Sequence, residues 1–88
     1  MPHVVMYTTA ICPYCVRAKY LLDNKGVRFE EIRIDHNPEI MQEMMQRSHR
    51  HTVPQIFIDD YHVGGYDDLA SLEMSGRLDQ LLGIVEEG

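Results

Sequence analysis

The sequence predicts an α/β fold in which helices cover both faces of a four-stranded mixed sheet. Its first 34 residues follow the order strand, helix, strand, which is a βαβ unit with two parallel strands and a right-handed crossover. Two short apolar runs, 55–58 and 61–63, flank Asp59-Asp60 and are typical of a hairpin. Because the 88 residues contain no linker or internal repeat, we expect one domain over residues 1–88.

The βαβ unit begins with the β-branched run His3–Tyr7, which predicts a buried strand. A helix to Asn24 follows, because Pro13 suits the first helical position, where its missing N–H costs nothing. Gly26 is the predicted left-handed stop. The side chains expected to face inward from this helix are Val16, Ala18, Tyr20, Leu21 and Leu22.

The second predicted strand, Val27–Ile34, has an irregular apolar pattern. Val27 and Phe29 alternate with polar residues, and so do Ile32 and Ile34, but the phase slips between the two pairs. We therefore expect a β-bulge, or a strand that changes which side is exposed.

The rest of the chain predicts three more helices around the hairpin. A helix from Asn37 to about Ser48 has methionines expected to fill the core, namely Met41, Met44 and Met45. Gly64-Gly65 ends the hairpin, and a helix begins at Asp67-Asp68. After Gly76, an amphipathic pattern predicts a last helix with an apolar face formed by Leu78, Leu81, Leu82 and Val85.

Composition and charge argue against several classes of protein. Fourteen acidic and eight basic residues give a net charge of −6, whereas nucleic acids and anionic membranes require a basic face. No apolar run approaches the roughly 18 residues of a membrane span, and the first residues lack the features of a signal peptide. Two cysteines are too few for a disulfide scaffold. We expect a cytoplasmic protein without nucleic-acid or membrane partners.

Cys12-Pro13-Tyr14-Cys15 lies where the first strand meets its helix. Two intervening residues at a helix start let both sulfurs reach bonding distance, so the pair can alternate between dithiol and disulfide. Free N–H groups and the positive end of the helix dipole favour a thiolate on the exposed Cys12. Cys15, one turn further in, is less accessible. Cys12 is therefore the predicted nucleophile and Cys15 the resolving thiol.

Two other roles fit the cysteine pair less well. A structural zinc site needs two more ligands, but the chain has no further cysteine and its histidines are scattered. A purely structural disulfide across so short a loop constrains little chain entropy, because that benefit grows with loop length. Redox chemistry is favoured, since C-x-x-C beside a βαβ pattern is specific for it. No metal is expected.

Two later segments carry candidate binding residues. In Thr52-Val53-Pro54, a cis bond would leave the Val53 N–H and C=O free to pair with an extended peptide, yet only about 5–6% of X–Pro bonds are cis, so local statistics favour trans. In Gly64-Gly65-Tyr66-Asp67-Asp68, glycine permits close backbone approach, and N–H groups at a helix start bind carboxylates. An aspartate there would suit an ammonium group, although such aspartates commonly serve as helix caps.

Together these segments resemble the glutaredoxin family, most closely its small bacterial dithiol members. Cys12-Pro13-Tyr14-Cys15, the TVPQIFI segment 52–58 and the GGYDDL segment 64–69 occur in the family's order and spacing. The resemblance spans nearly the whole chain. It implies the thioredoxin fold, a cis bond before Pro54, and glutathione as the co-substrate.

The resemblance also implies how glutathione is held. Cys12 would bond its sulfur while the Val53 backbone pairs with the tripeptide. The amides of Tyr66 and Asp67, with the carboxylate of Asp67 or Asp68, would hold the γ-glutamyl end. The full set of implied glutathione-binding residues is Tyr14, Thr52, Val53, Pro54, Gly65, Tyr66, Asp67 and Asp68.

Three positions depart from the family pattern. Thr9 stands where the family usually has lysine, and Met41 where it often has a basic or amide residue. Both positions normally face the glycine carboxylate of glutathione. Tyr66 stands where many members have cysteine, but only its backbone is needed for binding. Candidates to replace the missing basic groups are Arg17, Arg50 and His51.

The predicted function is that of a glutathione-dependent thiol–disulfide oxidoreductase. Cys12 alone would reduce protein–glutathione mixed disulfides, and Cys12 with Cys15 would reduce protein disulfides. The expected partners are glutathione and glutathionylated or disulfide-containing client proteins, with the chain acting as a monomer. One alternative is an electron donor reduced by a thioredoxin reductase, which Thr9 and Met41 motivate. Another is a glutathione-ligated iron–sulfur carrier, against which Pro13 and the second cysteine argue.

Overall fold

The computed structural model describes residues 2–84 and confirms the predicted α/β architecture. One sheet contains the strands β1 (Val4–Thr8), β2 (Glu30–Arg33), β3 (Gln55–Ile58) and β4 (Tyr61–Gly64). The helices are α1 (Pro13–Asn24), α2 (Pro38–Ser48), α3 (Tyr66–Ser75) and α4 (Arg77–Leu82). The strand order is β2-β1-β3-β4, with β1 and β2 parallel and the other pairs antiparallel. The sheet is therefore mixed, and β2 and β4 form its edges.

Each face of the sheet carries its own apolar cluster, because side chains alternate between the faces along each strand. Helices α1, α3 and α4 cover the first face, where the buried residues include Met6, Ala18, Leu22, Ile56, Leu69 and Leu78. Helix α2 covers the other face, where the buried residues are Val5, Tyr7, Ile34, Met44 and Phe57. The prediction of helices on both faces is thus confirmed.

Strand β2 is shorter than predicted. It begins at Glu30, and Val27 and Phe29 pack against the first-face cluster before the chain enters the sheet. Ile32 and Ile34 pack instead on the second face. The β1–β2 register is continuous, so no bulge interrupts it. Because odd and even positions face opposite sides of a sheet, the slipped phase marks a change in which side carries the apolar residues.

Two inward positions predicted for α1 are wrong. Ala18 and Leu22 are buried, but Val16 is 49% exposed and Tyr20 is 66% exposed. Val16 and Tyr20 each lie two residues from the buried Ala18, which is about 200° around a helix of 3.6 residues per turn. They therefore point away from the sheet.

Helix α2 buries fewer methionines than predicted. Met44 is fully buried, whereas Met41 and Met45 are exposed at its edges. One stripe of the helix packs on the sheet, and of the three methionines only Met44 lies in that stripe. At the chain's end, α4 is confirmed through Leu82, while Val85 lies outside the described residues.

Candidate active site

The cysteine pair lies between the end of β1 and the first turn of α1. Cys12 is the N-cap residue, Pro13 follows at the first helical position, and the Cys15 backbone N–H donates to Cys12 Sγ at 3.1 Å. The two cysteines form a disulfide, with their Cα atoms 5.2 Å apart. Cys12 is half-buried, whereas Cys15 is 1% exposed. The predicted difference in accessibility is therefore confirmed.

The Val53–Pro54 peptide bond is cis, as the family resemblance implied. Pro54 is buried at the start of β3, and the turn brings the Val53 carbonyl oxygen to 3.8 Å from Cys12 Sγ. The Val53 backbone consequently borders the sulfur that a ligand thiol would attack.

A helix N-terminus forms the next part of the site. Gly65 is the N-cap of α3, and its N–H donates to Asp68 Oδ2 at 2.9 Å. Gly64 has φ 112°, and a Cβ at this position would overlap the Asp68 carboxylate, so the turn requires glycine. The first N–H groups of a helix have no partner within the helix. Those of Tyr66 and Asp67 are therefore available to a ligand.

These segments meet along one groove of about 350 Å³, which we call the binding groove. The rings of Tyr14 and Tyr66 stack beside it, with their centroids 6.3 Å apart. All eight residues implied for glutathione binding line it, together with Arg50: Tyr14, Thr52, Val53, Pro54, Gly65, Tyr66, Asp67 and Asp68.

Arg50 lies beside the start of α3. It was a candidate partner for a glycine carboxylate, but its Nη1 donates to Asp68 Oδ2 at 2.9 Å. Arg50 and the Gly65 N–H together hold the pKa of the Asp68 carboxyl below its usual value. This pairing joins residues 18 positions apart, and no local sequence pattern indicates it.

The positions of the missing basic residues border a second groove, also of about 350 Å³. Thr9 and Met41 line it together with His51, and Val53 lines both grooves. The guanidinium of Arg17 lies instead over the Tyr14 ring, 5.4 Å from its centroid. Of the three candidate replacements, His51 is the one that shares a groove with Thr9 and Met41.

Between residues 2 and 84, no three side chains of the His, Cys, Asp and Glu types come close enough to hold a metal ion. No helix within the same range is long and apolar enough to cross a membrane.

Comparison with known proteins identifies the family. The glutaredoxin family model matches residues 4–63. The chain belongs to the glutaredoxin family. A glutaredoxin from Pseudomonas aeruginosa is 57% identical over 82 residues, covering 93% of this chain and 98% of that protein. Glutaredoxin 3 from Escherichia coli is 56% identical over 82 residues, covering 93% and 99% respectively.

A solved glutaredoxin structure supports the same conclusion. The crystal structure of a buckwheat glutaredoxin–glutathione complex matches with a TM-score of 0.86 at 30% identity, over 93% of this chain and 77% of that chain. Glutaredoxins have the thioredoxin fold and are glutathione-dependent thiol–disulfide oxidoreductases. The fold, the family and this activity are therefore confirmed for the present glutaredoxin, which has both cysteines of the dithiol kind.

Proposed function

We propose that this glutaredoxin binds the glutathione moiety of its substrates in the binding groove and reduces two kinds of disulfide through Cys12. One observation carries the proposal: the Val53 backbone and the N-terminus of α3 line the same groove, and the Val53 oxygen lies 3.8 Å from Cys12 Sγ. A tripeptide whose sulfur bonds Cys12 can thus pair with Val53 and extend its γ-glutamyl end to α3.

The α3 end of the binding groove suits an α-amino acid group. Its carboxylate would accept hydrogen bonds from the N–H groups of Tyr66 and Asp67, where the helix dipole also favours negative charge. The ammonium group would bind the Asp67 carboxylate. Asp68 already has partners within the protein, because its Oδ2 accepts hydrogen bonds from the Gly65 N–H and from Arg50 Nη1. The structure therefore favours Asp67 of the two aspartates.

The glycine end of glutathione would lie toward the second groove. Val53 lines both grooves, so a chain paired with its backbone passes from one to the other. There His51 would take the place of the basic residues that Thr9 and Met41 lack. The γ-glutamyl end, in contrast, has two backbone N–H groups and a carboxylate to bind it. We accordingly expect the glycine carboxylate to be held more weakly than the γ-glutamyl end.

Reduction of a glutathionylated protein needs only Cys12. Its thiolate attacks the glutathione sulfur, forms the Cys12–glutathione disulfide and releases the protein thiolate, which takes up a proton. A second glutathione thiolate then attacks the glutathione sulfur bound to Cys12, giving oxidised glutathione and restoring the Cys12 thiolate. The Cys15 N–H, 3.1 Å from Cys12 Sγ, is placed to stabilise this negative charge.

Reduction of a protein disulfide uses Cys15 as well. Cys12 attacks one protein sulfur, and the other leaves as a thiolate. Cys15 then attacks Cys12 Sγ, which forms the Cys12–Cys15 disulfide and releases the second protein thiol. Cys15 is 1% exposed, so it reaches Cys12 but is shielded from external disulfides. Two glutathiones return the pair to the dithiol.

We place the chain, as one domain over residues 1–88 and as a monomer, in a reducing cytosol that supplies glutathione. Its clients would be glutathionylated and disulfide-containing proteins.

The test is a coupled assay with a glutathionylated peptide, NADPH and glutathione reductase, over a range of glutathione concentrations. A parallel reaction contains thioredoxin reductase and no glutathione. We expect saturable, glutathione-dependent turnover that Cys12→Ser abolishes. Cys15→Ser should keep at least half of the deglutathionylation and lose most reduction of a protein disulfide. Turnover with thioredoxin reductase alone would overturn glutathione as the reductant, and loss of deglutathionylation in Cys15→Ser would overturn the assigned roles.

A further inference from the structure

A buried amide connects the binding groove to a histidine on the edge strand β4. Gln55, the first residue of β3, is 0% exposed. Its Oε1 lies 2.7 Å from His62 Nε2, and its Nε2 donates to Thr52 Oγ1 at 3.2 Å. Thr52 in turn lines the binding groove. One continuous set of hydrogen bonds therefore runs from β4 to the ligand side of the turn before Pro54.

The chemistry of the partners gives this chain of bonds a direction. A carbonyl oxygen can only accept, so His62 Nε2 must carry a hydrogen and donate to Gln55 Oε1. The His62 ring is stacked on Phe57, with the centroids 4.8 Å apart, which fixes the plane of the imidazole. Burial, followed by the positive charge of Arg50, lowers the pKa of His62 and so favours the neutral ring, which has one N–H to donate.

The consequence appears at the Thr52 hydroxyl. Because Gln55 Nε2 donates to Thr52 Oγ1, the hydroxyl hydrogen has to point elsewhere. We propose that His62 is a positioning residue: through Gln55 it orients the Thr52 hydroxyl as a hydrogen-bond donor toward the glutathione moiety in the binding groove. This inference rests on the proposed function, since it assumes that the groove holds glutathione.

Without the His62 donor, the Gln55 amide would have two orientations of similar energy. In the reversed one, Oε1 would face Thr52 and attract its hydroxyl hydrogen. The Thr52 oxygen would then face the groove as an acceptor and repel the acceptor atoms of the ligand. His62 thus determines whether the Thr52 hydroxyl is a donor or an acceptor toward the ligand, although His62 itself does not contact the ligand.

The first experiment is a double-mutant cycle measured as kcat/KM for a glutathionylated peptide. His62→Phe keeps the ring stacked on Phe57 but removes the donor, and Thr52→Val removes the hydroxyl at nearly constant shape. Each change should lower kcat/KM by roughly three- to tenfold, the usual worth of one hydrogen bond. In the Thr52→Val background, His62→Phe should have no further effect, because its only route to the ligand is gone.

Two controls separate positioning from loss of stability. His62→Gln places a side-chain N–H where the imidazole Nε2 was and should retain at least half of the wild-type kcat/KM. Val4→Ala creates a core cavity at the far end of β1 and should lower thermal stability without lowering kcat/KM. Independent, multiplying effects of His62→Phe and Thr52→Val would overturn the inference, as would an unchanged kcat/KM in Thr52→Val.

A second measurement does not depend on activity. Long-range ¹H–¹⁵N spectra of the unmodified protein should show His62 as the neutral tautomer protonated at Nε2. The tautomer protonated at Nδ1 would overturn the inference even if turnover were normal. If glutathione-dependent turnover were absent, the proposed function would fail, and the tautomer would still decide whether the chain of hydrogen bonds runs in the inferred direction.

Discussion

Mutation of the two neighbouring aspartates at the start of α3 should affect two different properties, substrate binding and stability. Asp67 is free to bind the ammonium group of glutathione, whereas the Oδ2 of Asp68 accepts from the Gly65 N–H and from Arg50 Nη1, both at 2.9 Å. Asp67→Ala should therefore weaken substrate binding, and Asp68→Ala should weaken the fold. Because both residues lie in the first helical turn, their favourable interaction with the helix dipole is common to both and cancels in the comparison.

The magnitudes follow from these contacts. Loss of a carboxylate that accepts an N–H at a helix start costs about 0.5–2 kcal/mol. The Asp68–Arg50 pair adds less than about 1 kcal/mol, because both side chains are nearly half exposed and solvent screens them. Asp68→Ala should therefore lower the free energy of unfolding by about 1–2 kcal/mol. For a domain of this size, that lowers Tm by roughly 5–15 °C.

Asp67→Ala should lower Tm by no more than a few degrees, because it loses only the interaction with the helix dipole. Its effect should appear in the KM for a glutathionylated peptide, which we expect to rise about 5- to 30-fold for the loss of one exposed charge-assisted hydrogen bond. Thermal unfolding by circular dichroism and the coupled assay, both on reduced protein, measure the two effects. Equal changes of Tm and KM in the two variants would refute the division of roles.

Two other predictions concern the fold and its response to acid. Leu22→Ala, at a fully buried position of α1, should lower the free energy of unfolding by about 2–5 kcal/mol in urea titrations, whereas the matched variant Tyr20→Ala on the exposed side should change it by less than about 0.5 kcal/mol. A similar loss in both variants would contradict the assigned face of α1. Because Arg50 lowers the pKa of Asp68, that carboxylate stabilises the fold above its unfolded pKa near 4 and loses this contribution as the pH falls through the folded value. Arg50→Gln should raise the Asp68 pKa in a ¹³C titration and flatten the loss of stability at acid pH; an unchanged pKa would show that Arg50 is not its cause.

The parts of the site that are encoded locally could be predicted from the sequence. Cys12 and Cys15 are placed by a helix start that Pro13 marks, and the free N–H groups of Tyr66 and Asp67 follow from the position of Gly65. The cis bond before Pro54 is different, because local statistics favour trans. Only the resemblance of several segments taken together predicted it correctly.

The parts that depend on packing between distant elements could not be predicted in the same way. Arg50 reaches Asp68 across the fold, so its place at the α3 end is a property of the tertiary structure. Apolar periodicity indicated α1 and α2 but not which stripe meets the sheet, and so Tyr20 and Met45 were expected inside and are exposed. The alternation at Val27 looked like a strand, although that residue packs beside the sheet before β2 begins.

The edges of the sheet have a consequence for how this protein behaves at high concentration. An unpaired edge strand offers a row of free backbone groups to other chains, and it is a common starting point for aggregation. Here β2 is four residues long and has three charged side chains, Glu30, Glu31 and Arg33. At the other edge, β4 is equally short and ends at Gly64, whose left-handed backbone turns the chain away. Neither edge is a good template for a further strand. The molecule can therefore break and re-form its disulfide repeatedly without its sheet adding strands from other chains.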